Sequence, residues 1–348
     1  MRRVTAAAMI GAAFLLAACS SSSSTSASSG SSSSSGGSAA SAPVTVRLGF
    51  LTNITHASAL VALKEGYFSK DLGSAGTLKP TAFSTGTEET TALLAGQLDA
   101  AYVGPNPAIN AWQKSSGSAV KIISGAATGG ASVVTAKGIT SAAQLKGKTL
   151  ATPSLGNTQD VALRYWLKQN GVTTTATGGG DAFIKPTTPN SAAVLEFKSG
   201  QIDGASEPAP YDIEMVQDGG TVLLSEPGVT TLLVVTQSFL SAHPAVVADL
   251  LKAQVQANDF IKSSPAAAQA AANAELASYT DKPLKASLVA AAFKEITFTD
   301  DPDASSLTTD ASQAVSLGLL KPVNLSGIFD LGPLNTALAA AGESPVSS

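Results

Sequence analysis

The densest group of chemistry-bearing residues is Thr152-Pro153-Ser154-Leu155-Gly156-Asn157-Thr158, which runs straight into an amphipathic helical pattern over 161–169 that Asn170-Gly171 stops. Free backbone N–H groups at a helix start are a ready anion site. A helix cap needs only one such residue, Ser154 or Asn157, whereas an oxyanion needs several. Thr152, Ser154, Gly156, Asn157 and Thr158 crowd together here, which points to oxyanion binding. Three further loops carry smaller sets. Asn53, Thr55 and His56 follow a strand pattern at 44–51, and Thr85 and Gly86 follow a strand at 81–83. Asn106 lies in Gly104-Pro105-Asn106-Pro107, a turn that opens a helix. Each has a plainer reading beside the ligand one. His56 serves equally as a structural hydrogen-bonding residue, Gly86 as a turn, and Asn106 as part of a rigid loop. Thr87 or Ser84 is the expected N-cap of the helix that Glu88-Glu89 begin.

Other chemistries find little support. The chain has two His and one Cys, Cys19, so no internal disulfide or Cys-based metal site is expected. No His/Asp/Glu cluster surrounds His56 in sequence, and there is no G-x-S-x-G elbow or metal-ligand helix. Neither a cofactor nor an enzyme activity is expected. A net charge of −4 and the lack of basic, aromatic-interleaved runs argue against nucleic acid. Since no cation obviously faces the loops, a bound anion would rely on neutral donors and helix ends.

An internal repeat organises the elements that must position these loops. Leu93–Trp112 reads as a helix end, a Gly96 stop, a buried strand from Leu98 to Val103 and a Pro-bearing loop. The pattern returns at Glu196–Pro210, where Gly200-Gln201-Ile202-Asp203 matches Gly96-Gln97-Leu98-Asp99 and Glu207-Pro208 takes the loop position. Two such units imply two α/β lobes, each presenting a loop at the carboxyl end of a strand, where open α/β sheets bind ligands. The 348 residues, 44% hydrophobic, suffice for two cores. Ala131–Thr135 reads as a strand leaving the first lobe, and 221–224 and 231–236 as strands leading back. The expected division is 43–135 with 228–348 as lobe one and 136–227 as lobe two, with two crossover strands as hinge. The Ala-rich helical tail, 243–263 and 265–279, is read as packing.

The first nineteen residues are expected to be removed. Arg2 and Arg3 precede an apolar stretch, 6–16, too short to span a bilayer as a mature anchor. Residues 20–42 are almost only Ser, Gly and Ala, a composition that cannot offset chain entropy by burial. They read as a flexible tether with a reach of roughly 25–30 Å.

Several segments carry a family resemblance. VRLGFLTNITHASALVALKEGYF (46–68), SAAQLKGK (141–148), the 152–160 segment and GLLKP (318–322) resemble the periplasmic-binding-protein group that serves aliphatic sulfonate, taurine, nitrate and bicarbonate transporters. Leu16-Ala17-Ala18-Cys19 is similar to a bacterial lipobox, in which the signal is cut before the Cys and the Cys is acylated. The resemblance implies an α/β, two-lobed type 2 binding-protein fold with its ligand between the lobes. It also implies an outward-facing, lipid-anchored protein that delivers a small organic anion to the transmembrane subunits of an ABC permease, expected as a monomer. In that family the 152–158 loop binds the oxyanion, and an acidic residue near Glu207 meets a ligand amine. A solvated loop carboxylate is the other reading of Glu207, and Ser206 stands where the family carries an aromatic. A sulfonate or taurine-like ligand leads, with nitrate or bicarbonate behind it. A ligand-sensing lipoprotein is a further class. A pyrimidine synthase of related fold depends on a Cys-rich motif that this chain lacks.

Overall fold

The computed structural model describes residues 43–348, so the expected signal segment 1–19, Cys19 and the expected tether 20–42 lie outside the described residues. The strands are β1 (Val44–Leu51), β2 (Gly76–Phe83), β3 (Ala100–Val103), β4 (Val120–Gly129), β5 (Ala131–Thr135), β6 (Thr149–Thr152), β7 (Phe183–Pro186), β8 (Gly204–Pro208), β9 (Thr221–Ser225), β10 (Val229–Thr236) and β11 (Ile296–Phe298). The helices of the first half are α1 (Ala57–Lys64), α2 (Tyr67–Leu72), α3 (Gly86–Leu94), α4 (Pro105–Lys114), α5 (Thr158–Gln169), α6 (Asn190–Lys198) and α7 (Tyr211–Gln217). Those of the tail are α8 (Gln237–Ala242), α9 (Pro244–Ser263), α10 (Pro265–Thr280), α11 (Ala286–Glu295), α12 (Ala304–Ser316) and α13 (Gly332–Ala341).

Two sheets form, ordered β11-β4-β10-β3-β1-β2 and β7-β6-β8-β5-β9. They share one plan. In the first, β2, β1 and β3 are parallel and β10 runs against β3. In the second, β7, β6 and β8 are parallel and β5 runs against β8. Helices cover both faces of each sheet, as parallel strands require. The central strands are accordingly apolar on both sides, with Val46, Leu48, Phe50, Ile122, Ile123 and Leu233 no more than 1% exposed.

The repeated Gly-Gln-(Leu/Ile)-Asp has a physical reason. Gly96 and Gly200 end their helices with φ of +68° and +73°, a conformation open to Gly at little cost. Leu98 and Ile202 are buried. The Asp99 carboxylate accepts from the backbone N–H of Arg47, within β1, at 2.8 Å. Asp203 does the same for Thr149 at the start of β6, at 2.9 Å. Each Asp N–H donates back to the carbonyl of that same residue, at 2.9 and 2.8 Å. A basic side chain completes each clamp, Arg47 on Asp99 and Lys148 on Asp203.

The chain changes sheet at Gly129-Gly130 and returns through Glu226-Pro227-Gly228. The expected boundary after 135 therefore falls too late: β5 pairs with β8 and β9 in the second sheet. The two glycines, with φ of +71° and +72°, allow the chain to turn there, while β5 read from sequence is simply an apolar strand. The two crossings touch, the Gly129 N–H donating to the Gly228 carbonyl at 2.9 Å.

Asp99 is the less exposed of the two clamping carboxylates, and its loss strips a charged acceptor from both Arg47 and the β1 backbone. Asp99→Ala is expected to destabilise the fold by about 1.5–3 kcal/mol in urea unfolding, and Asp203→Ala by less.

Candidate functional site

Between the sheets lies a small cavity of about 30 Å3. Its walls are the loop after β1 (Asn53, Thr55, His56), the start of α3 (Ser84, Thr85, Gly86), Gly104 and Pro107 around the start of α4, and the start of α5 (Asn157, Thr158, Gln159). Asn190, Pro153, Pro208 and Thr230 close it. No Lys, Arg, Asp or Glu lines it.

Two helix N-termini face this space from opposite sheets. Thr85, rather than Thr87 or Ser84, caps α3: its hydroxyl accepts from the Glu88 N–H at 3.2 Å and its carbonyl accepts from the Glu89 N–H. Gly86, the first helical residue, keeps its amide outside that pattern, and a Cβ there would sit 2.8 Å from Pro107. Asn157 caps α5, accepting from the Asp160 N–H at 2.9 Å, and its carbonyl takes the Val161 N–H. The helix thus begins at Thr158, three residues earlier than its apolar periodicity indicates, because the cap and not the stripe sets its start. The first-turn amides of Thr158 and Gln159 are left for the cavity that both residues line. Thr158 also has a buried Oγ1 with no partner.

His56 supplies a third kind of donor. Its Nδ1 accepts from the Leu51 N–H at 3.2 Å, and burial lowers its pKa to about 3. The ring is therefore neutral, with its proton on Nε2. Asn53 turns inward on its own loop, Oδ1 accepting from the Thr55 N–H and hydroxyl at 3.1 and 2.7 Å.

The remaining expected residues do other work. Thr152 and Gly156 donate to the Asp160 carboxylate at 3.2 and 2.7 Å, so their hydrogen bonds serve an internal anion. Asp160 is in turn paired with Arg164 at 2.8 Å, both essentially without exposure. Ser154 lies at the rim, its hydroxyl 3.1 Å from that of Thr87, a bond across the two sheets. Asn106 is buried away from the cavity and donates from Nδ2 to the Asp310 carbonyl at 3.4 Å. Glu207 is neither a ligand-facing nor a solvated loop residue. It lies within β8, fully buried, with both oxygens unpartnered and its pKa raised well above the ordinary value, first by burial and then by Asp212. Asn190, near enough to oppose that shift, stands on the cavity side.

Sequence reasoning passed over Gln159, Asn190 and Thr230 in the walls and the buried Asp160–Arg164 pair. The i,i+4 spacing of Asp160 and Arg164 was the available signal for the pair. Asn190 and Thr230 had none, as sheet pairing alone brings them here.

A model of the NMT1-like family matches residues 39–277. The chain belongs to the NMT1-like family. No curated protein matches this family member. Its fold is that of periplasmic binding proteins. The nitrate-binding protein NrtA from Synechocystis PCC 6803 superposes with a TM-score of 0.74 at 15% identity, over 86% of this chain and 89% of that one. The alkanesulfonate-binding protein SsuA from Xanthomonas axonopodis pv. citri, bound to MOPS, gives 0.70 at 16% identity, over 84% and 100%. A ligand-binding component of an ABC-type import system from Staphylococcus aureus gives 0.69 at 14% identity, over 84% and 99%.

Burial pushes four further carboxyls up, Glu226 to about 8, Asp212 and Asp310 to about 7, and Asp300 to about 6. Each binds its proton more tightly folded than unfolded, so the stability it contributes is full at acid pH and is lost as pH rises through the folded value. His56 acts oppositely, its contribution full above about 6.5 and lost as pH falls toward 3. The melting temperature is expected to fall from about pH 5 to about pH 8, and Glu226→Gln to flatten that fall. A melting temperature that rises across this range contradicts the assignment.

Proposed function

We propose that the chain is the extracytoplasmic solute-binding protein of an ABC importer, taking a small organic anion into the cavity between its sheets and presenting it to a membrane permease. The observation that carries this reading is the convergence of the α3 and α5 N-termini and the neutral His56 on a cavity with no charged side chain in its wall. Oriented amides and neutral donors favour an anion in such a water-poor space. The two lobes are the two sheets with their helices, and the Gly129-Gly130 and Glu226–Gly228 crossings are the hinge. Closure on ligand requires that ligand bind the closed form better than the open one. Contacts such as Thr87–Ser154 close the rim.

A sulfonate headgroup is the leading ligand, in keeping with what the superposed alkanesulfonate-binding protein is named for. Two helix ends can together supply several amides to a tetrahedral oxyanion, while an amine on the ligand finds no carboxylate in this wall. The cavity volume also favours a nitrate- or bicarbonate-sized ion, since a single water needs on the order of 10–15 Å3 by the same measure. Cys19 is the lipid anchor and 20–42 the tether in this reading.

Thr158→Pro tests the site without disturbing the helix. Proline suits the first helical position, and Asn157 already has the extended backbone that precedes proline. The exchange removes an amide and an unpartnered hydroxyl. Melting should be recorded with methanesulfonate, taurine, nitrate and bicarbonate. A binding anion at about 100 times its Kd raises stability by about 2.7 kcal/mol. Thr158→Pro should leave the ligand-free melt nearly unchanged and weaken that anion at least about tenfold, or 1.4 kcal/mol. If no anion raises the melting temperature of the stripped protein, the anion reading fails. Separately, Cys19→Ser should move the protein from the membrane fraction to the soluble one.

A further inference from the structure

A second and larger cavity, of about 420 Å3, lies behind α5, bounded by α12 and by the crossing that returns to β10. Thr158 and Thr230 are common to the walls of both cavities. The two spaces differ in chemistry. Along one side of the second stand the half-buried rings of Tyr165 and Trp166, and along the other Glu226 and Asp310. No Lys, Arg or His lines it.

Its acids are poorly matched within the chain. Glu226 is 7% exposed, and its single side-chain bond is from the Ser206 hydroxyl to Oε1 at 2.6 Å. Asp310 Oδ2 is shielded from solvent and has no partner. Thr158, 8% exposed, presents an unpartnered Oγ1 in the same wall. The charged groups acting on these carboxyls are all acidic: Asp212 and Asp310 on Glu226, and Asp303 on Asp310. Buried carboxylates without counter-charge are costly, so these acids either hold a proton or take a cation from outside the chain.

We propose that this cavity is a second ligand site, for an organic ammonium whose charged head lies between Glu226 and Asp310 and whose apolar body rests on Trp166 and Tyr165. Aromatic faces attract such cations. A bare metal ion fits less well. Among the described residues no group of three or more His, Cys, Asp or Glu is placed to hold one, and the aromatic wall calls for an organic body. The site joins α5, in the second sheet's layer, to α12, in the first's, so an occupant bridges the two halves. It stands apart from the anion reading and holds even if the smaller cavity binds no anion.

Trp166 is one of two tryptophans, and its emission reports occupancy. Benzylamine, phenethylamine and tetramethylammonium should be titrated near neutral pH to millimolar concentration, with benzyl alcohol and phenethyl alcohol as neutral counterparts. Saturable fluorescence change is expected with the amines and not with the alcohols. It should be lost in Trp166→Phe, whose binding is then followed by calorimetry. Glu226→Gln and Asp310→Asn should each weaken the amines at least tenfold. Ala162→Phe, which fills the cavity from α5 and leaves both acids in the sequence, should abolish binding while leaving the melting temperature close to wild type. Three results each overturn the proposal: no amine saturates, alcohols bind as well as amines, or folded Glu226→Gln and Ala162→Phe proteins bind amines normally.

Discussion

Two aspartates, one buried and one half-buried, hold the architecture in register. Asp99 and Asp203 each accept from the backbone of the first parallel strand of their sheet and donate back to the same residue. This ties the third parallel strand to the first just where a helix has ended, so β3 and β8 can enter their sheets in only one register. A slip by one residue would turn every side chain to the opposite face. With the strands fixed, the loops at their carboxyl ends are fixed too. The starts of α3, α4 and α5 then converge on one small space.

That space is built from neutral donors. A cation in the wall would bind anions strongly, but it would also have to be desolvated whenever the cleft closed empty. Helix ends avoid this, because their amides are part of the backbone and already oriented. The chain keeps its own charges behind the wall. Asp160 draws on Thr152, Gly156 and Arg164, which holds the loop before α5 in shape. Glu207 is held away by burial. The residues that give the loop its polar look thus divide into those that shape it and those that face the cavity.

Acids recur behind the wall without basic partners, and their environment is set by burial more than by pairing. The two cavities share Thr158 and Thr230 yet present opposite electrostatics, oriented amides on one side and carboxyls on the other. Position along α5 accounts for this. Its first turn points donors into the smaller space, and its later turns, at 162, 165 and 166, turn an apolar and aromatic face to the larger one.

The sequence by itself determined the α/β class, the duplicated helix–Gly–strand unit, the helical tail and the loops in which donors gather. These are local: glycine conformations, hydrophobic period and cap chemistry act over a few residues. It also marked Ser154 or Asn157 as a cap, and the fold uses Asn157. Only the tertiary structure decided where the chain changes sheet, because Gly129-Gly130 reads as any loop until β5 finds β8 and β9. Only it separated Thr158 and His56, which line the cavity, from Thr152, Gly156 and Glu207, which do not. The side of a strand or helix start that faces a ligand depends on partners far along the chain, and Asn190 and Thr230 enter the wall for that reason alone.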